Sequence, residues 1–357
     1  MLLMHKDIPV CSIKIMDNSI LAVTAIYNAE HLPVGVYKDR TDLCAASLRN
    51  WQAGRTIPYN RKNIDEVTKS LGCSIPEASV LCNFLSLTDC YWIKDESSDL
   101  FWKDINFHDN GFSNQYAMNI LEQSNGQIDN FHIPDIHTDG VLPKLWISLY
   151  NRPHLVKFGQ IESANEVTAS RIADLLRINH VKYTPFFEGG KYGCVCPCFI
   201  EDSNKEIVNG LQVKKDHAPS GMQLYNAFCG MGFEKETNDM IRFIHLIHNT
   251  DCHDKNFGYE RDAESLSPVR FLPLFDSGTS FGLNPTKDMR PFSERRMEQF
   301  KLSLPQPVLP EKSIVTAILR ETYEEFHISG EALAVALSDI DQTYKETERE
   351  FYSVLER

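Results

Sequence analysis

Short alternations of apolar and polar residues, separated by turn-forming residues, occupy the start of the chain. Such alternation is typical of strands with one buried face, and it predicts a small β-sheet. The predicted strands cover residues 10–15, 20–26 and 32–37. Apolar residues then recur at helical spacing over 41–51 and 63–71. The polar stretch 123–127 is typical of a linker, so we expect a family-specific N-terminal α+β region for packing or recognition.

A glycine-containing loop, two strands and a helix follow in the pattern. The loop contains Gly140, the strands end near residues 149 and 159, and Ser163 and Glu166 have the spacing of a capping box at the start of a helix. Two antiparallel strands under a flexible loop can place backbone amides over phosphate groups. A lysine near the end of the second strand, Lys157, can add a positive charge there.

The second half of the chain contains both strand and helix patterns. Apolar runs over 181–187, 192–200 and 269–275 predict strands, and apolar residues at helical spacing predict a helix over 237–249. The last thirty residues form an amphipathic pattern rich in Glu and Lys, which is typical of a helix with a solvated face.

A cluster of polar residues follows the predicted helix over 237–249, where a loop can direct the side chains into a cleft. Its members are Asp251, His253, Lys255 and Asn256. A further carboxylate, Asp276, follows the apolar segment 269–275. An aspartate that orients a hydroxyl, together with an amide and a carboxylate that hold Mg²⁺, are the groups that phosphoryl transfer requires. The loop alone is also typical of a simple helix exit, because Asp and Asn side chains bond to nearby backbone.

Imidazole and thiol groups near this loop suggest a zinc site as an alternative. They belong to His245, His248, Cys252 and His253. His245 and His248 lie three residues apart on the predicted helix and could share a face. The spacing fits no common zinc motif, and a buried or capping histidine is the more frequent role.

The motif from Asp251 to Phe257, with the sequence D-x-H-x-K-N-F, and the later L-x-L-F-D that ends at Asp276 resemble those of HipA-like serine/threonine kinases. The resemblance extends over about residues 130–350. It implies an α+β fold with a bilobal protein-kinase-like core, in which a small β-rich lobe precedes a mainly helical large lobe.

The resemblance also implies three regions of the chain. The N-terminal α+β region covers residues 1–128, the small lobe 129–200 and the large lobe 201–357. The hinge between the lobes is expected near Pro197 and Phe199, with backbone facing adenine. Proline has no amide hydrogen, so the Phe199 amide is the expected donor.

By the same resemblance, Asp251 is the catalytic aspartate, and Asn256 and Asp276 are ligands of Mg²⁺. The loop at Gly140 covers ATP, and Lys157 binds its phosphates.

Three further side chains have less certain roles by resemblance. Glu166 can either cap its own helix at Ser163 or pair with Lys157, as the helix glutamate does in protein kinases. His253 and Lys255 shape the catalytic loop or touch the γ-phosphate.

The glycine loop departs from the pattern of the family. Serines usually precede the glycine there, and one can be autophosphorylated, whereas this chain has His137, Thr138 and Asp139. Thr138 is the only hydroxyl close by. Asp139 adds negative charge near the expected phosphates, which is unfavourable unless the side chain points away.

Composition narrows the classes of function. The 357 residues are 42% hydrophobic and 24% charged, as in ordinary globular proteins. A net charge of −13 disfavours a broad nucleic-acid surface. No segment approaches 18 consecutive apolar residues, and the apolar run at the start of the chain is too short for a signal peptide. We therefore expect no membrane association and a cytoplasmic location.

The ten cysteines of such a chain are expected to be reduced thiols. Three of them, Cys194, Cys196 and Cys198, alternate along one predicted strand. Strand alternation does not offer the turn geometry that a metal cluster requires, so we expect small, buried and inert side chains.

The sequence therefore predicts an ATP- and Mg²⁺-dependent kinase that phosphorylates a serine or threonine hydroxyl of a protein substrate. The resemblance adds a possible role as the toxin of a toxin–antitoxin pair, with a helix-turn-helix antitoxin as partner. Two alternatives stay open: a nucleotide-binding pseudokinase or docking protein, and a kinase that acts on a lipid or small molecule.

Overall fold

The computed structural model describes residues 1–124, 126, 128, 131–216, 220–284 and 309–355. Residues 125 and 127 of the predicted linker, residues 129 and 130 at the start of the predicted small lobe, and the last two residues of the predicted C-terminal helix lie outside this part.

The N-terminal region is built on an antiparallel sheet. Its strands are β1 (Leu2–His5), β2 (Ile8–Met16), β3 (Ser19–Ile26) and β4 (Tyr91–Lys94). Their order is β3-β2-β1-β4, so the last strand of the sheet comes from much later in the chain. The strands predicted over residues 10–15 and 20–26 are confirmed.

The strand predicted over residues 32–37 is wrong. A short 3₁₀ helix at Ala29–His31 precedes a turn in which the Val36 amide donates to the Pro33 carbonyl over 3.0 Å. Pro33 has no amide hydrogen for a strand ladder. Leu32 and Val36 are buried nevertheless, so their alternation reflects burial of an irregular segment.

Helices complete the N-terminal region. They are α1 (Thr41–Ala53), α2 (Ile64–Leu71), α3 (Ile75–Leu81), α4 (Trp102–Ile105), α5 (Phe107–Asn110) and α6 (Gln115–Glu122). The predicted helices over 41–51 and 63–71 are confirmed. Helix α1 packs against β3 and buries Leu48 with Ile13 and Ile20 of the sheet.

A second antiparallel sheet and one long helix form the small lobe. The elements are β5 (Lys144–Leu149), β6 (Arg152–Phe158), α7 (Gln160–Leu176), β7 (Thr184–Glu188) and β8 (Lys191–Pro197). The strand order is β5-β6-β8-β7. The capping box predicted at Ser163 is wrong, because the helix begins at Gln160, after Gly159 with φ +128°.

The large lobe combines a small sheet with helices. Its elements are β9 (Lys205–Asn209), α8 (Gly210–Asp216), α9 (Gly221–Gly230), α10 (Glu234–Leu246), β10 (Gly258–Asp262), β11 (Pro268–Phe271), α11 (Lys312–Glu325) and α12 (Gly330–Leu355). The sheet order is β11-β10-β9. At Gly258 the neighbouring strand leaves no room for a side chain, since an added Cβ would lie 2.2 Å from the Val208 carbonyl oxygen.

Two cores cross the boundaries between these regions. Trp92, Trp102 and Phe107 of the N-terminal region share one core with Val156 and Phe158 of the small lobe. Burial of such large aromatic side chains is worth several kcal/mol each at about 25 cal/mol per Å² of apolar surface. The N-terminal region is therefore packed onto the small lobe.

The small-lobe helix α7 packs into the core of the large lobe. Its residues Val167 and Ile172 are buried with Phe243, Ile247 and Tyr323. Helix α7 thus lies between the lobes, where it can place a side chain into the cleft.

A buried ionic cluster joins the N-terminal region to the large lobe. Glu206 in β9 bonds to His5 Nε2 over 3.1 Å and pairs with the Arg261 guanidinium in β10. His5 Nδ1 lies 2.9 Å from His31 Nδ1, and Arg261 donates to the Tyr91 hydroxyl over 3.0 Å. Every member is buried, so the cluster is shielded from solvent screening.

Within the described residues, no helix is both long and apolar enough to cross a lipid bilayer.

Candidate active site

Lys157 near the end of β6 is the centre of a buried ionic group. Its ammonium donates to Glu166 Oε1 over 2.5 Å and to Asp276 Oδ1 over 2.7 Å. Burial alone would lower the pKa of Lys157, but the two carboxylates outweigh it and raise the pKa well above its ordinary value. Lys157 is therefore a fixed positive charge that links the small lobe to the segment after β11.

Glu166 pairs with the lysine and does not cap its helix. It lies in the second turn of α7, because the helix begins after Gly159, and its Oε2 accepts a hydrogen bond from the Ser277 amide over 2.8 Å. Burial raises the pKa of Glu166, and the Lys157 ammonium opposes that rise. The hydroxyl of Ser163 instead donates to the Lys157 carbonyl over 3.3 Å.

Asp276 follows Leu274 and Phe275 with a φ of +64°, a left-handed conformation that turns the chain sharply. Its Oδ2 accepts a hydrogen bond from Asn256 Nδ2 over 2.7 Å. Burial would raise the pKa of Asp276, but the ammonium groups of Lys157 and Lys144 hold it well below its ordinary value. The side chain is thus an ionised carboxylate, and it is 42% exposed to the cleft.

The catalytic-loop candidates follow α10, where His248 takes a φ of +49° and ends the helix. Asn249 is buried and connects two segments: its Nδ2 donates to the Asp276 carbonyl over 3.1 Å, and its Oδ1 accepts from the Asp251 amide over 3.2 Å. Asn256 Oδ1 accepts from the His253 amide over 3.0 Å. The loop is thereby held against the Asp276 segment at both ends.

The glycine loop lies against this group from the small-lobe side. Gly140 has a φ of +102°, which side chains rarely adopt. Arg61 of the N-terminal region donates to the carbonyl oxygens of both Gly140, over 3.0 Å, and Thr138. The Thr138 hydroxyl accepts a hydrogen bond from Trp146 Nε1 over 2.8 Å, so the only hydroxyl near the loop glycine is already engaged.

Asp139 does not point away from the cleft. Its Oδ2 accepts from Lys255 Nζ over 2.6 Å, and its Oδ1 accepts from the Gly140 amide over 2.7 Å. Lys255 therefore contacts the glycine loop in this structure.

Sequence reasoning missed Asn249, Arg61 and Lys144. Asn249 lies two residues before the motif, where it is indistinguishable from an ordinary turn residue. Arg61 lies far from the loop in sequence. Lys144 is 9% exposed and faces Lys157 across the β5-β6 register, and strand alternation would have placed both on one side.

Two solved structures resemble this fold. A chain in the Shewanella oneidensis MR-1 toxin–antitoxin complex of HipA, HipB and operator DNA superimposes with a TM-score of 0.54 at 14% identity, over 98% of this chain and 96% of that chain. The chain has a HipA-like kinase fold. The α+β bilobal fold predicted from the sequence is thereby confirmed.

The Helicobacter pylori proinflammatory kinase CtkA matches with a TM-score of 0.42 at 16% identity, over 60% of this chain and 94% of that chain. No family model matches the sequence. No curated protein matches it either.

The predicted hinge of the HipA-like fold follows β8. Pro197 is the last residue of that strand and pairs with His154 of β6. The Phe199 carbonyl accepts from Arg270 over 2.9 Å, and its ring lies 5.5 Å from that of Phe275. The role of the Phe199 amide toward adenine stays a prediction.

The zinc alternative does not fit the HipA-like arrangement. The part of the chain that the structure describes contains no group of three or more His, Cys, Asp or Glu side chains that could hold a metal ion. His248 instead lies 2.6 Å from Asp339, and His253 Nδ1 is buried without a hydrogen-bond partner among the described residues. Of the three thiols predicted to be buried, Cys194 and Cys196 are buried, and burial raises the pKa of Cys196 to about 12. Cys198 lies just after β8 and is only half-buried, so the prediction is wrong for this residue.

Proposed function

We propose that this protein is an ATP- and Mg²⁺-dependent kinase that phosphorylates a serine or threonine hydroxyl of a protein. The observation that carries the proposal is that the buried Lys157 ammonium contacts both Glu166 and Asp276, and that Asn256 is bonded to the same aspartate. A lysine–glutamate pair between a strand and a helix, next to a metal-binding aspartate, is the arrangement that protein kinases use to position nucleotide phosphates.

The donor set of the cleft fits magnesium. Asp276 is an ionised carboxylate, and Mg²⁺ prefers a few oxygen ligands with phosphate oxygens completing its shell. The Asn256 amide nitrogen donates to Asp276, while the Asn256 Oδ1 accepts from the His253 amide and keeps a second lone pair for a metal. Each carboxylate oxygen of Asp276 accepts one hydrogen bond and keeps a second lone pair. When bound, the ion would neutralise phosphate charge, and Asp276 and Asn256 would hold it.

Asp251 would orient the acceptor hydroxyl and accept its proton. Asn249 supports this role, because it bonds to the Asp251 amide and to the Asp276 carbonyl at once. Lys157 would contact the nucleotide phosphates, with Glu166 fixing its orientation. The Phe199 amide would face adenine at the hinge after Pro197, and His253 would shape the loop through its backbone bond to Asn256.

We also propose a helix-turn-helix antitoxin as a partner and a role as the toxin of such a pair. The support is the fold alone: the Shewanella structure that it resembles contains HipA with HipB and operator DNA.

Intact-mass analysis after incubation with ATP and Mg²⁺ tests the proposed activity. Wild-type protein, Asp251→Asn and the control Asp262→Asn are each incubated with and without dephosphorylated casein. Asp262 is the last residue of β10, and its carboxylate accepts hydrogen bonds from Lys205 and from the Ser265 amide. We expect a gain of about 80 Da per phosphoryl group on the kinase or on casein, absent only in Asp251→Asn.

Calorimetric titration with Mg-ATP separates the remaining outcomes. Asp251→Asn should bind the nucleotide as wild type does, because the substitution keeps the loop and removes only the base. Binding without transfer by the wild type would favour the nucleotide-binding docking protein. Absence of binding would contradict the kinase proposal, and equal transfer by Asp251→Asn would contradict the role of Asp251.

A further inference from the structure

The Asp139 carboxylate fills an anion-binding position between the glycine loop and the catalytic loop. It accepts from the Gly140 amide through one oxygen and from the Lys255 ammonium through the other. The Lys255 contact joins the glycine loop to the catalytic loop, which lie 116 positions apart in the chain. A backbone amide of a glycine loop and a lysine ammonium are donors suited to a phosphate.

A second cation lies beneath the same loop. A Cβ added to Gly140 would lie 2.3 Å from Lys144 Nζ, so this ammonium is directly under the loop backbone. Within the described part of the chain, Lys144 has neither a hydrogen bond nor an ion pair with a side chain. The charges that act on it are the carboxylates of Asp276 and Asp139 and the cations of Lys157 and Arg61.

A buried ammonium without a direct partner is unfavourable. Burial lowers the pKa of Lys144 to about 8, and the surrounding cations add to this effect, while Asp276 opposes it. Among the described residues, no carboxylate forms an ion pair with this ammonium.

The loop is shaped by contacts with the protein's own side chains. Arg61 is 2% exposed and takes the carbonyl oxygens of Thr138 and Gly140, and Trp146 holds the Thr138 hydroxyl. Arg61 thus binds the loop through its carbonyl oxygens. The Gly140 amide donates instead to the Asp139 carboxylate.

We propose that Asp139 is an internal competitor of the terminal phosphoryl group of a nucleoside triphosphate: its carboxylate takes the Gly140 amide and the Lys255 ammonium, which the family resemblance assigns to nucleotide phosphates, beside Lys144. The inference rests on the proposed nucleotide-dependent function. A terminal phosphate brings more charge and more oxygens than one carboxylate, so it displaces Asp139 and supplies Lys144 with its missing anion. Asp139 thereby weakens binding of the triphosphate and has little effect on the diphosphate.

The test compares affinities for Mg-ATP and Mg-ADP by calorimetry. Asp139 is 49% exposed, so Asp139→Asn is expected to fold normally. A partly exposed ion pair shifts an equilibrium by up to about fivefold, and we expect Asp139→Asn to tighten Mg-ATP binding by about that factor and Mg-ADP binding by less than about twofold. Asp42→Asn, an exposed carboxylate with 63% exposure in the N-terminal region, is the charge-matched control and should change neither affinity.

A second variant tests the cation. Lys144→Met keeps the apolar stem of the side chain and should weaken Mg-ATP binding at least about tenfold, as the loss of a charge-assisted contact does, with a smaller effect on Mg-ADP. Its thermal unfolding is measured in parallel to show that it is folded.

The outcomes separate this inference from the function on which it rests. If wild type binds Mg-ATP and Asp139→Asn changes ATP and ADP affinity equally, or changes neither, the competitor role of Asp139 is refuted while the kinase proposal stands. If only Asp139→Asn binds Mg-ATP, the inference is supported in its strongest form. If neither protein binds a nucleotide, both proposals fail together.

Discussion

Replacing Glu206 with glutamine tests how strongly the N-terminal region is held to the large lobe. The Glu206 carboxylate is 1% exposed, bonds to His5 in β1 and pairs with Arg261 in β10. Glutamine keeps the shape of the side chain but removes its charge. The Arg261 guanidinium is then left buried without its main counter-charge, which the remaining bond to Tyr91 does not replace.

The expected loss of unfolding free energy follows from the lowered pKa of Glu206. Burial would raise the pKa of Glu206, but His5 and Arg261 outweigh it and lower the pKa from 4.5 to about 2. At about 1.4 kcal/mol per unit, this shift contributes roughly 3 kcal/mol to the free energy of unfolding at neutral pH. Loss of one partner of a buried ion pair typically costs about 3–5 kcal/mol, which agrees.

The lowered pKa of Glu206 also determines how the free energy of unfolding changes with pH. Because the pKa is depressed in the folded state, the stabilisation is present above the unfolded value of 4.5 and is lost as the pH falls toward about 2. The glutamine variant lacks this contribution at every pH. The difference between the two proteins should therefore shrink from about 3 kcal/mol at pH 7 to about 2 kcal/mol at pH 3.5.

Urea unfolding followed by tryptophan fluorescence measures both values. Glu264→Gln is the matched control, because Glu264 is 73% exposed and pairs with Lys6 at the surface. Its substitution should change the free energy of unfolding by less than about 1 kcal/mol. A cost below about 1 kcal/mol for Glu206→Gln, or a cost that does not vary with pH, would refute the reasoning.

Two further predictions concern the cleft and the sheet beneath it. Lys157→Met should lower the free energy of unfolding by about 3–5 kcal/mol in urea at pH 7, because Glu166 loses its buried counter-ion. The same variant should abolish Mg-ATP binding in calorimetry. A variant as stable as wild type would contradict the buried pair. Gly258→Ala should cost about 3 kcal/mol in thermal unfolding, since its Cβ would meet the Val208 carbonyl oxygen at 2.2 Å. Gly230→Ala is the matched control, with no atom within 4 Å of the added Cβ, and should be neutral or slightly stabilising.

Local patterns in the sequence were enough to predict much of the fold. The strands that contain Lys157 and precede Asp276 could be predicted, because each is a short apolar run with turns on both sides. The segment over residues 32–37 could not, since an irregular chain that buries alternate side chains has the same pattern as a strand.

The details of the candidate site depend on contacts between distant segments. Whether Glu166 caps its helix or pairs with the lysine depends on where that helix begins, and Gly159 moves the start to Gln160. Arg61 reaches the glycine loop from 79 residues away, and no local pattern encodes such a contact. The buried position of Lys144 follows from its place under that loop, which only the assembled fold defines.

The N-terminal region is attached to both sides of the cleft. Its aromatic core continues into the small lobe, and its His5 strand is bound to Glu206 of the large lobe. Lobes that close over a nucleotide move relative to each other, so closure in this chain must either carry the whole N-terminal region along or stretch the ionic cluster. Under the proposed nucleotide-dependent function, we expect the region to act as an external brace that limits how far the cleft opens. A molecule that binds only to this brace should then change nucleotide affinity at a distance by making the brace stiffer or looser.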